Sequence, residues 1–518
     1  MRILWTILIA TFSMTGFASS NDYVEEVIVV GAYVTDGYGD PEYDNNLLES
    51  IQPTKQYNAG GLGAFQGIQL SGTDTKHTAV FKNGVPINDP SSGWYDFGTD
   101  LLTGQNLTVI HGPGSVKFGS SSMAGTVIIN DDLQQRQTVI RGASDQVSVF
   151  TAVEGFQVAH YKGSNGSVRS DNDEADWYEN TTVKTGYDFE NWRVRADFTD
   201  YKYDYDNCYM PDWSVSNDCF QDGEKTFFSV QHERFVLGYN KNKAEHNTGF
   251  VNDSERYYTN AVLYNDYGFE VGVTGQRETY NELERDSGAG YIRWYNDLGI
   301  GVGYRYEDDE HIARIGYDGH GFRLSLGNSF RRPNLYEENG DQWVAANPDL
   351  QPEKGVGAEF GYGFLSVYYY DFSEGIDFDM TDYKYVNTGK YTSQGVKFQR
   401  QWLRENGSWF TYFEYTDSDK IRVPEYMAKL SYYQSGYMFG YLIWDTEIAY
   451  IGEFNKGNDF DGRPIDDVSS FDWKFGIYPK DDVHIIFRIQ DILDNEFEFL
   501  PDYNAGGRQF SMSVRLTY

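Results

Sequence analysis

The sequence predicts an all-β protein built on an antiparallel transmembrane β-barrel of about 22 strands, and three observations carry this prediction. The first is a long series of strand-like segments without helical interludes, which occupies residues 136–518. The second is the final segment, 510–518, in which apolar and polar residues alternate strictly and the last residue is aromatic. The third is the composition, since 17% aromatic residues, 43 Tyr and 54 Gly suit strands that meet a membrane interface and turn often.

The length of the alternating region sets the expected number of strands. Residues 136–518 are 383 positions, and about 17 residues for each strand with its connection gives roughly 22 strands, within the range of membrane barrels. Alternation puts one set of side chains on each face of a strand, as in 192–199 and 483–490. A soluble β-sandwich would alternate as well, but it needs fewer strands, and closure into a barrel leaves no exposed edge.

Hydropathy and charge exclude two other classes of protein. A mean hydropathy of −0.59 excludes a polytopic helical membrane protein, because a spanning helix needs about 20 consecutive apolar residues. The formal net charge of −36 excludes a nucleic-acid partner that is recognised through a basic patch. Most of these charges are expected to serve general solvation.

The N-terminus indicates an exported protein. A basic residue, an apolar run and then small residues follow one another, so residues 1–20 are interpreted as a signal peptide cleaved near Ser20 or, alternatively, near Ala18. The two cysteines, Cys208 and Cys219, lie close together in a polar stretch. In an exported protein they are expected to form one disulfide that closes a surface loop, and two free thiols are the alternative.

The chain before the barrel has two regions of different texture. Residues 21–50 hold one short β-prone run between acidic, Tyr- and Gly-rich stretches, and residues 51–135 mix short strand-like pieces with Gly- and Ser-rich turns. Within the second region, residues 84–130 read GVPINDPSSGWYDFGTDLLTGQNLTVIHGPGSVKFGSSSMAGTVIIN. Its glycines suit tight turns and close strand crossings, which exclude a side chain.

This string resembles the plug domain of the TonB-dependent receptors, in which a DGVP turn and a variable apex precede the pattern RGPxSxxYGxxAxGG. The matching residues are Gly84, Val85, Pro86, Gly112, Pro113, Ser115, Phe118, Gly119, Ser120, Gly125 and Ile128. The resemblance implies a mixed α/β plug domain at 51–135 that occludes a barrel at 136–518. It also implies a monomer in outer-membrane lipid of a Gram-negative bacterium.

The run EEVIVVG at 25–31, within the N-terminal extension 21–50, resembles the TonB box of the same family. The residues assigned to the box are Glu26, Val27, Ile28, Val29, Val30 and Gly31. In the family this segment pairs as an added strand with TonB, which passes on energy from an inner-membrane motor complex. An ordinary buried strand is the alternative interpretation.

Within the family, the resemblance extends into the barrel and is greatest to transporters of cobalamin. It rests on SFRRPNLYEENGD at 329–341, NPDLQPEKG at 347–355, YVNTGKYTSQGVKF at 385–398 and the final hairpin. Several of these motifs occur in siderophore receptors too. The resemblance therefore implies active uptake of a large, scarce solute, with cobalamin or another corrinoid expected first and a ferric siderophore as the alternative.

Three positions depart from the family pattern at charges that usually hold the plug to the barrel. His111 stands in place of the arginine before Gly-Pro, and Thr108 stands in place of a glutamate. Leu70, Ser71 and Gly72 stand in place of Ile-Arg-Gly. The ionic contact is therefore expected to be absent or replaced.

The resemblance places a ligand on two apices of the plug. Carried over by position, the candidate ligand-binding residues are Asn58, Gly60, Gly61, Gly63, Asn88, Asp89, Ser91, Ser92 and Trp94. Short polar apices let backbone groups approach a large, amide-decorated ligand. Ordinary turns are the alternative, because turn chemistry alone selects Gly, Asn and Ser.

An acidic loop is the candidate cation site. Residues 170–173 read SDND and resemble the calcium loop of the cobalamin transporters, and further carboxylates follow. The candidate calcium ligands are Asp171, Asp173, Asp204, Asp206 and Asp222. Calcium takes six to eight oxygen ligands, and a solvated acidic loop is the alternative.

No catalytic arrangement is found in the sequence, so neither an enzyme nor a catalytic cofactor is expected. The eight histidines are scattered, without an HExxH motif or a Ser-His-Asp order on a recognisable element. An outer-membrane enzyme would need such a nucleophile and base. A passive porin, the other alternative, would need neither the plug nor the TonB box.

Overall fold

The structure, a computed structural model, describes residues 55–58, 65–101, 105–143, 146–164, 176–206, 208–210, 212, 214–341, 343–459, 462–495, 498–501, 503–504 and 507–518. Several predicted features lie outside these residues. They are the signal peptide 1–20, the TonB box at 26–31, the apex glycines Gly60, Gly61 and Gly63, and the acidic residues Asp171 and Asp173. No helix in the described part of the chain is long and apolar enough to cross a membrane.

Strands dominate the described residues, and helices are short. The strands are β1 (Lys55–Asn58), β2 (Gln66–Gln69), β3 (Thr78–Lys82), β4 (Val85–Pro86), β5 (Gln105–His111), β6 (Gly125–Asp131), β7 (Gln137–Ala143), β8 (Gln146–Val153), β9 (Phe156–Ser164), β10 (Trp177–Phe189), β11 (Trp192–Tyr205), β12 (Cys208–Tyr209), β13 (Val215–Ser216), β14 (Cys219–His232), β15 (Phe235–His246), β16 (Val251–Asp266), β17 (Phe269–Tyr280), β18 (Leu283–Tyr295), β19 (Ile300–Glu307), β20 (Glu310–Gly319), β21 (Phe322–Arg331), β22 (Glu353–Tyr362), β23 (Leu365–Asp379), β24 (Lys384–Arg404), β25 (Gly407–Ser418), β26 (Tyr426–Met438), β27 (Leu442–Phe454), β28 (Val468–Lys480), β29 (Val483–Gln490), β30 (Glu498–Leu500), β31 (Tyr503–Asn504) and β32 (Gln509–Thr517). The helices are a 3₁₀-helix (Thr75–His77), α1 (Ser115–Phe118) and α2 (Leu335–Asn339).

Twenty-two of these strands form one closed antiparallel barrel, which confirms the predicted fold class. The barrel contains β7–β11, β14–β29 and β32, and it closes where β32 pairs with β7 in the register Thr517↔Gln137. On β32 the apolar side chains Phe510, Met512 and Leu516 are exposed on the outer face, whereas Ser513 is buried inside. This alternation suits a wall with lipid on one side and protein on the other.

The two ends of the barrel differ in the length of their connections. At one end, pairs of residues with positive φ make tight hairpin turns, such as Tyr267–Gly268 at 52° and 74° and His320–Gly321 at 54° and 79°. The other end carries the longer connections, including 206–218 and 332–352. Membrane barrels have short periplasmic turns and longer extracellular loops, so the long-loop end is the extracellular one.

The described residues between 65 and 131 form a small domain that fills the lumen of the barrel. Its four-stranded sheet has the order β4-β3-β6-β5, in which β3 and β6 are parallel. One hydrophobic cluster joins Val80 and Val127 of this sheet to Phe227 of β14 and Tyr370 of β23, which lie far apart around the barrel. A Cβ at Gly125 would lie 2.4 Å from the carbonyl oxygen of Ile110, so the close approach of the paired strands β5 and β6 requires a glycine here.

The long connection between β11 and β14 carries the disulfide. Cys208 at the start of β12 is bonded to Cys219 at the start of β14, with Cα atoms 6.2 Å apart. The bridge closes this loop at the extracellular end of the barrel.

Candidate solute-binding site

A cavity of about 410 Å³ lies between the apex of the plug and the barrel wall. His246 and Phe250, at the connection between β15 and β16, contribute to its lining, and so does Tyr336 of α2. Because these residues belong to the long-loop end, the cavity faces the extracellular side, and we call it the vestibule. Its volume lies in the range of roughly 300–1,000 Å³ that small-molecule sites occupy.

Side-chain hydrogen bonds hold the apex loop 88–94 in shape. The Asn88 Oδ1 atom accepts from the Val80 backbone N–H at 2.7 Å, and its Nδ2 atom donates to the carbonyl oxygens of Thr78 and Gly93. The Asp89 Oδ1 atom accepts from the backbone and the hydroxyl of Ser91 at 2.7 and 2.6 Å. Asn and Asp favour such local bonds in turns, and here the bonds present the loop to the vestibule.

The structure brings together four of the predicted ligand-binding residues. Asp89, Ser91, Ser92 and Trp94 all line the vestibule. Asn88 is buried behind the loop and supports its shape through the bonds given above. Asn58 lies in β1, which pairs with β2.

Two lysines held between aromatic rings were missed by the sequence analysis. The Lys76 Nζ atom lies 5.3 Å from the ring centroids of both Trp94 and Tyr385. Lys225 lies in the same way over Tyr95 and Tyr201, at 4.9 and 5.9 Å. Cation–π contacts of this kind fix the position of an ammonium group. The abundance of tyrosine was the sequence signal, but it did not indicate which tyrosines converge.

The charges that line the vestibule balance formally. Four lysines face four aspartates: Lys76, Lys82, Lys225 and Lys241 against Asp89, Asp96, Asp100 and Asp197. Burial alone would raise the pKa of Asp100, but the charges of Lys82 and Lys225 outweigh it and lower that pKa below its ordinary value. Burial likewise opposes the charge of Lys76, but Glu337 raises its pKa above the usual range. Both groups are therefore ionised at neutral pH.

A buried network of charges, which we call the ion ring, joins the plug to the extracellular loop 332–352. It consists of Lys76, Glu337, Arg331, Glu353 and His77. The Lys76 Nζ atom lies 2.7 Å from Glu337, the Arg331 guanidinium lies 2.8 Å from Glu337 and 2.6 Å from Glu353, and His77 lies 2.8 Å from Glu353. The ring begins and ends on consecutive residues of the plug.

A second buried contact lies where the sequence departs from the family pattern. Lys397 of β24 donates to Ser71 at 2.8 Å and to the His111 Nδ1 atom at 3.2 Å. Ser71 in turn donates to Glu359 of β22 at 3.3 Å. The expected ionic contact is thus replaced, because the barrel supplies the cation and the plug supplies neutral acceptors.

Acidification is expected to weaken this contact, because protonated His111 would face Lys397. Burial, with the charges of Lys397 and Arg323, lowers the pKa of His111 well below its ordinary value of 6.5. The folded state then binds fewer protons than the unfolded state. The contribution of neutral His111 to the stability of the folded state is complete above pH 6.5, and it declines as the pH falls from there toward the folded-state pKa. The pH dependence of amide hydrogen exchange in β5 tests this, and His111→Gln should remove the dependence that starts near pH 6.5.

The remaining acidic candidates do not form a cluster in the described part of the chain. Asp204 of β11 lies 3.6 Å from Lys202, Asp222 pairs with Lys202 across β11 and β14, and Asp206 is buried at the end of β11. No group of three or more His, Cys, Asp or Glu side chains that could hold a metal ion occurs among the described residues.

A closed 22-stranded barrel, filled by its own N-terminal domain and open to a vestibule outside, is the architecture of an outer-membrane transporter driven from within the cell. The model of the TonB-dependent receptor-like β-barrel matches residues 129–478, and that of the TonB-dependent receptor plug domain matches residues 42–126. The chain belongs to the TonB-dependent receptor family. It is accordingly a transporter of the Gram-negative outer membrane, and not an enzyme.

The similar proteins differ in the solutes for which they are named. The vitamin B12 transporter BtuB of Vibrio cholerae is 23% identical over 557 residues, which cover 90% of this chain and 88% of the relative. The siderophore receptor PirA of Acinetobacter baumannii has a TM-score of 0.65 at 13% identity, with 90% of this chain and 94% of that chain covered. The copper transporter OprC has a TM-score of 0.66 at 13% identity, with 92% and 95% covered. The structural likenesses show the fold alone.

Proposed function

We propose that the protein imports cobalamin or a related corrinoid across the outer membrane and that the vestibule is its binding site. The observation that carries the proposal is the chemistry of the vestibule. Its formal charges balance, and aromatic rings and side-chain amides share its lining. A corrinoid is a large, nearly neutral molecule that carries many carboxamide groups, whereas ferric siderophores are often anionic. The resemblance of the barrel motifs to cobalamin transporters supports the same solute.

Uptake would begin when the solute settles on the apex loop 88–94 at the top of the plug. TonB would then pair with the segment 26–31, as an added strand, and pull on the plug. The pull has to separate the ion ring and the Lys397 contact with His111 before solute can pass, because both join plug to barrel. In this proposal, residues 1–20 are the signal peptide, 21–50 the N-terminal extension with the TonB box, 51–135 the plug domain and 136–518 the barrel.

Labelled cyanocobalamin should bind to the purified protein in detergent, and Trp94→Ala should weaken that binding by about 2 kcal/mol, roughly thirtyfold in Kd, because Trp94 lines the vestibule. Trp402→Ala is the matched control, since Trp402 is exposed on the barrel wall. Equilibrium binding of the wild type and both variants is the measurement. Absence of cyanocobalamin binding together with tight binding of ferric enterobactin would contradict the proposal and favour a siderophore.

Calcium in the extracellular loops is a subsidiary part of the proposal. Its support is the SDND pattern at 170–173 together with Asp204, Asp206 and Asp222, while the described residues alone do not assemble a site. Repeating the binding measurement with a chelator separates the two claims. Binding that the chelator weakens would support calcium, and binding that it leaves unchanged would remove calcium and keep the solute.

A further inference from the structure

Asp89 is the point at which the apex of the plug meets the barrel wall. Its Oδ2 atom accepts hydrogen bonds from Asn242 of β15 at 2.7 Å, and from Asn252 and Ser254 of β16 at 3.2 and 2.9 Å. A carboxylate only accepts hydrogen bonds, so the amide nitrogens of Asn242 and Asn252 must both face Asp89. This fixes which way the two amide groups point.

In this arrangement the amide oxygens of Asn242 and Asn252 form no hydrogen bond with Asp89. The Oδ1 atoms of Asn240, Asn242 and Asn252 are buried, and none has a hydrogen-bond partner in the described protein. Asn240 stands two residues before Asn242 on β15, so both side chains lie on the same face of the strand. All three residues line the vestibule, and we call them the acceptor row.

An unsatisfied buried acceptor destabilises a protein by about 1–3 kcal/mol, so three of them at one cavity need a physical reason. Donors on a bound solute would supply the missing hydrogen bonds. A solute with carboxylates in the same places would instead put oxygen against oxygen. The row therefore selects for N–H donors and against anionic acceptors.

We infer that Asn240, Asn242 and Asn252 are specificity-determining residues that accept hydrogen bonds from the carboxamide N–H groups of the solute. Asp89 is the positioning residue that holds two of the three amides in the receiving orientation. This inference rests on the proposed function and deepens it. It states which groups of a corrinoid the vestibule recognises. It also predicts that a corrinoid with amide side chains binds more tightly than its acid form.

The test compares cyanocobalamin with a derivative whose side-chain amides have been hydrolysed to carboxylates, using full-length protein in detergent. Wild-type protein should bind the amide form more tightly than the acid form. Asn240→Leu should weaken binding of the amide form roughly tenfold and should reduce the ratio between the two affinities. Asn240→Asp keeps an acceptor oxygen, so it should bind the amide form more tightly than Asn240→Leu does, and its added negative charge should weaken binding of the acid form further.

Asn265→Leu is the matched control, because Asn265 is an exposed asparagine of β16 that does not line the vestibule, and it should bind both forms like the wild type. The ratio of the two affinities is the informative readout, since a misfolded vestibule would weaken both ligands alike. An unchanged ratio in Asn240→Leu, with tight binding by the wild type, would overturn the acceptor row and leave the proposed function standing. No binding of either form by the wild type would overturn both.

Discussion

Replacement of Arg331 by glutamine is expected to destabilise the docked plug by about 3–5 kcal/mol, because it leaves buried carboxylates without their central cation. Arg331, Glu337 and Glu353 have side chains that are 1%, 0% and 2% exposed. In the wild type, two cations, Lys76 and Arg331, face these two carboxylates. Without Arg331 the group carries an excess negative charge in a place that water does not reach.

Hydrogen exchange of the plug measures this effect. Backbone amides of β3 should exchange roughly two to four orders of magnitude faster in Arg331→Gln, because they open when the plug leaves the barrel. Arg277→Gln is the matched control, since the Arg277 pair with Asp286 lies on the surface, with side chains 50% and 37% exposed, and it should exchange like the wild type. Equal protection of β3 in Arg331→Gln would show that the ion ring does not hold the plug.

The barrel was predictable because its signal is local. Alternation of apolar and polar residues follows from the two faces of a strand, and it holds in β32, where Phe510 faces outward and Ser513 inward. Glycines of the plug were predictable for a related reason. Gly125 lies where a Cβ would meet the backbone of Ile110, so a short stretch of chain forces its identity.

The vestibule was predictable only in part. Asp89, Ser91, Ser92 and Trp94 follow one another on a single loop, so the position of that loop in the plug was sufficient to find them. The acceptor row was missed, because its asparagines carry no local pattern, and Asn242 and Asn252 meet Asp89 only when the barrel closes around the plug. No motif in one segment reports such a contact.

The ion ring combines a local feature that the sequence predicts with a long-range contact that it does not predict. Asn334 and Glu337 form a capping box at the start of α2, in which each side chain accepts from the backbone N–H of the other residue, and this spacing is readable from sequence. The partner of Glu337 on the plug is Lys76, which lies 261 positions earlier in the chain. Likewise, the departure at His111 was visible in the sequence, but its replacement partner Lys397 was not.

Lys76 belongs to both the vestibule and the ion ring, so the proposed solute site shares a residue with the attachment of the plug. Its ammonium group lies over Trp94 and Tyr385 in the vestibule, and it is also bonded to Glu337. A solute that shifts Trp94 therefore acts on a residue that holds the plug in place. Arg331→Gln is consequently expected to change plug docking without removing any group that lines the solute cavity.

A second buried cluster lies where β6 leads into the barrel, and it shares Lys82 and Asp197 with the lining of the vestibule. Lys82 and Asp131 of the plug meet Lys184 and Asp197 of the barrel, and all four side chains are at most 7% exposed. Lys82 is paired with Asp197, and the Lys184 Nζ atom lies 3.6 Å from Asp131. Two cations and two anions balance, so any single charge removed leaves a net charge in the interior.

Asp131→Asn is therefore expected to destabilise the docked plug by about 3–5 kcal/mol, and Asp132→Asn is the matched control on the neighbouring, partly exposed residue. Burial alone would raise the pKa of Asp131, but Lys82 and Lys184, with hydrogen bonds from Gln105 and Asn83, lower it to about 2. The stabilising contribution of Asp131 is thus complete above pH 3.8 and is lost as the pH falls from 3.8 toward about 2.

Hydrogen exchange of β6, followed from neutral pH into this range, should show that loss in the wild type and in Asp132→Asn. In Asp131→Asn the loss should be present already at neutral pH, and an unchanged neutral-pH protection of β6 would show that this cluster does not anchor the plug.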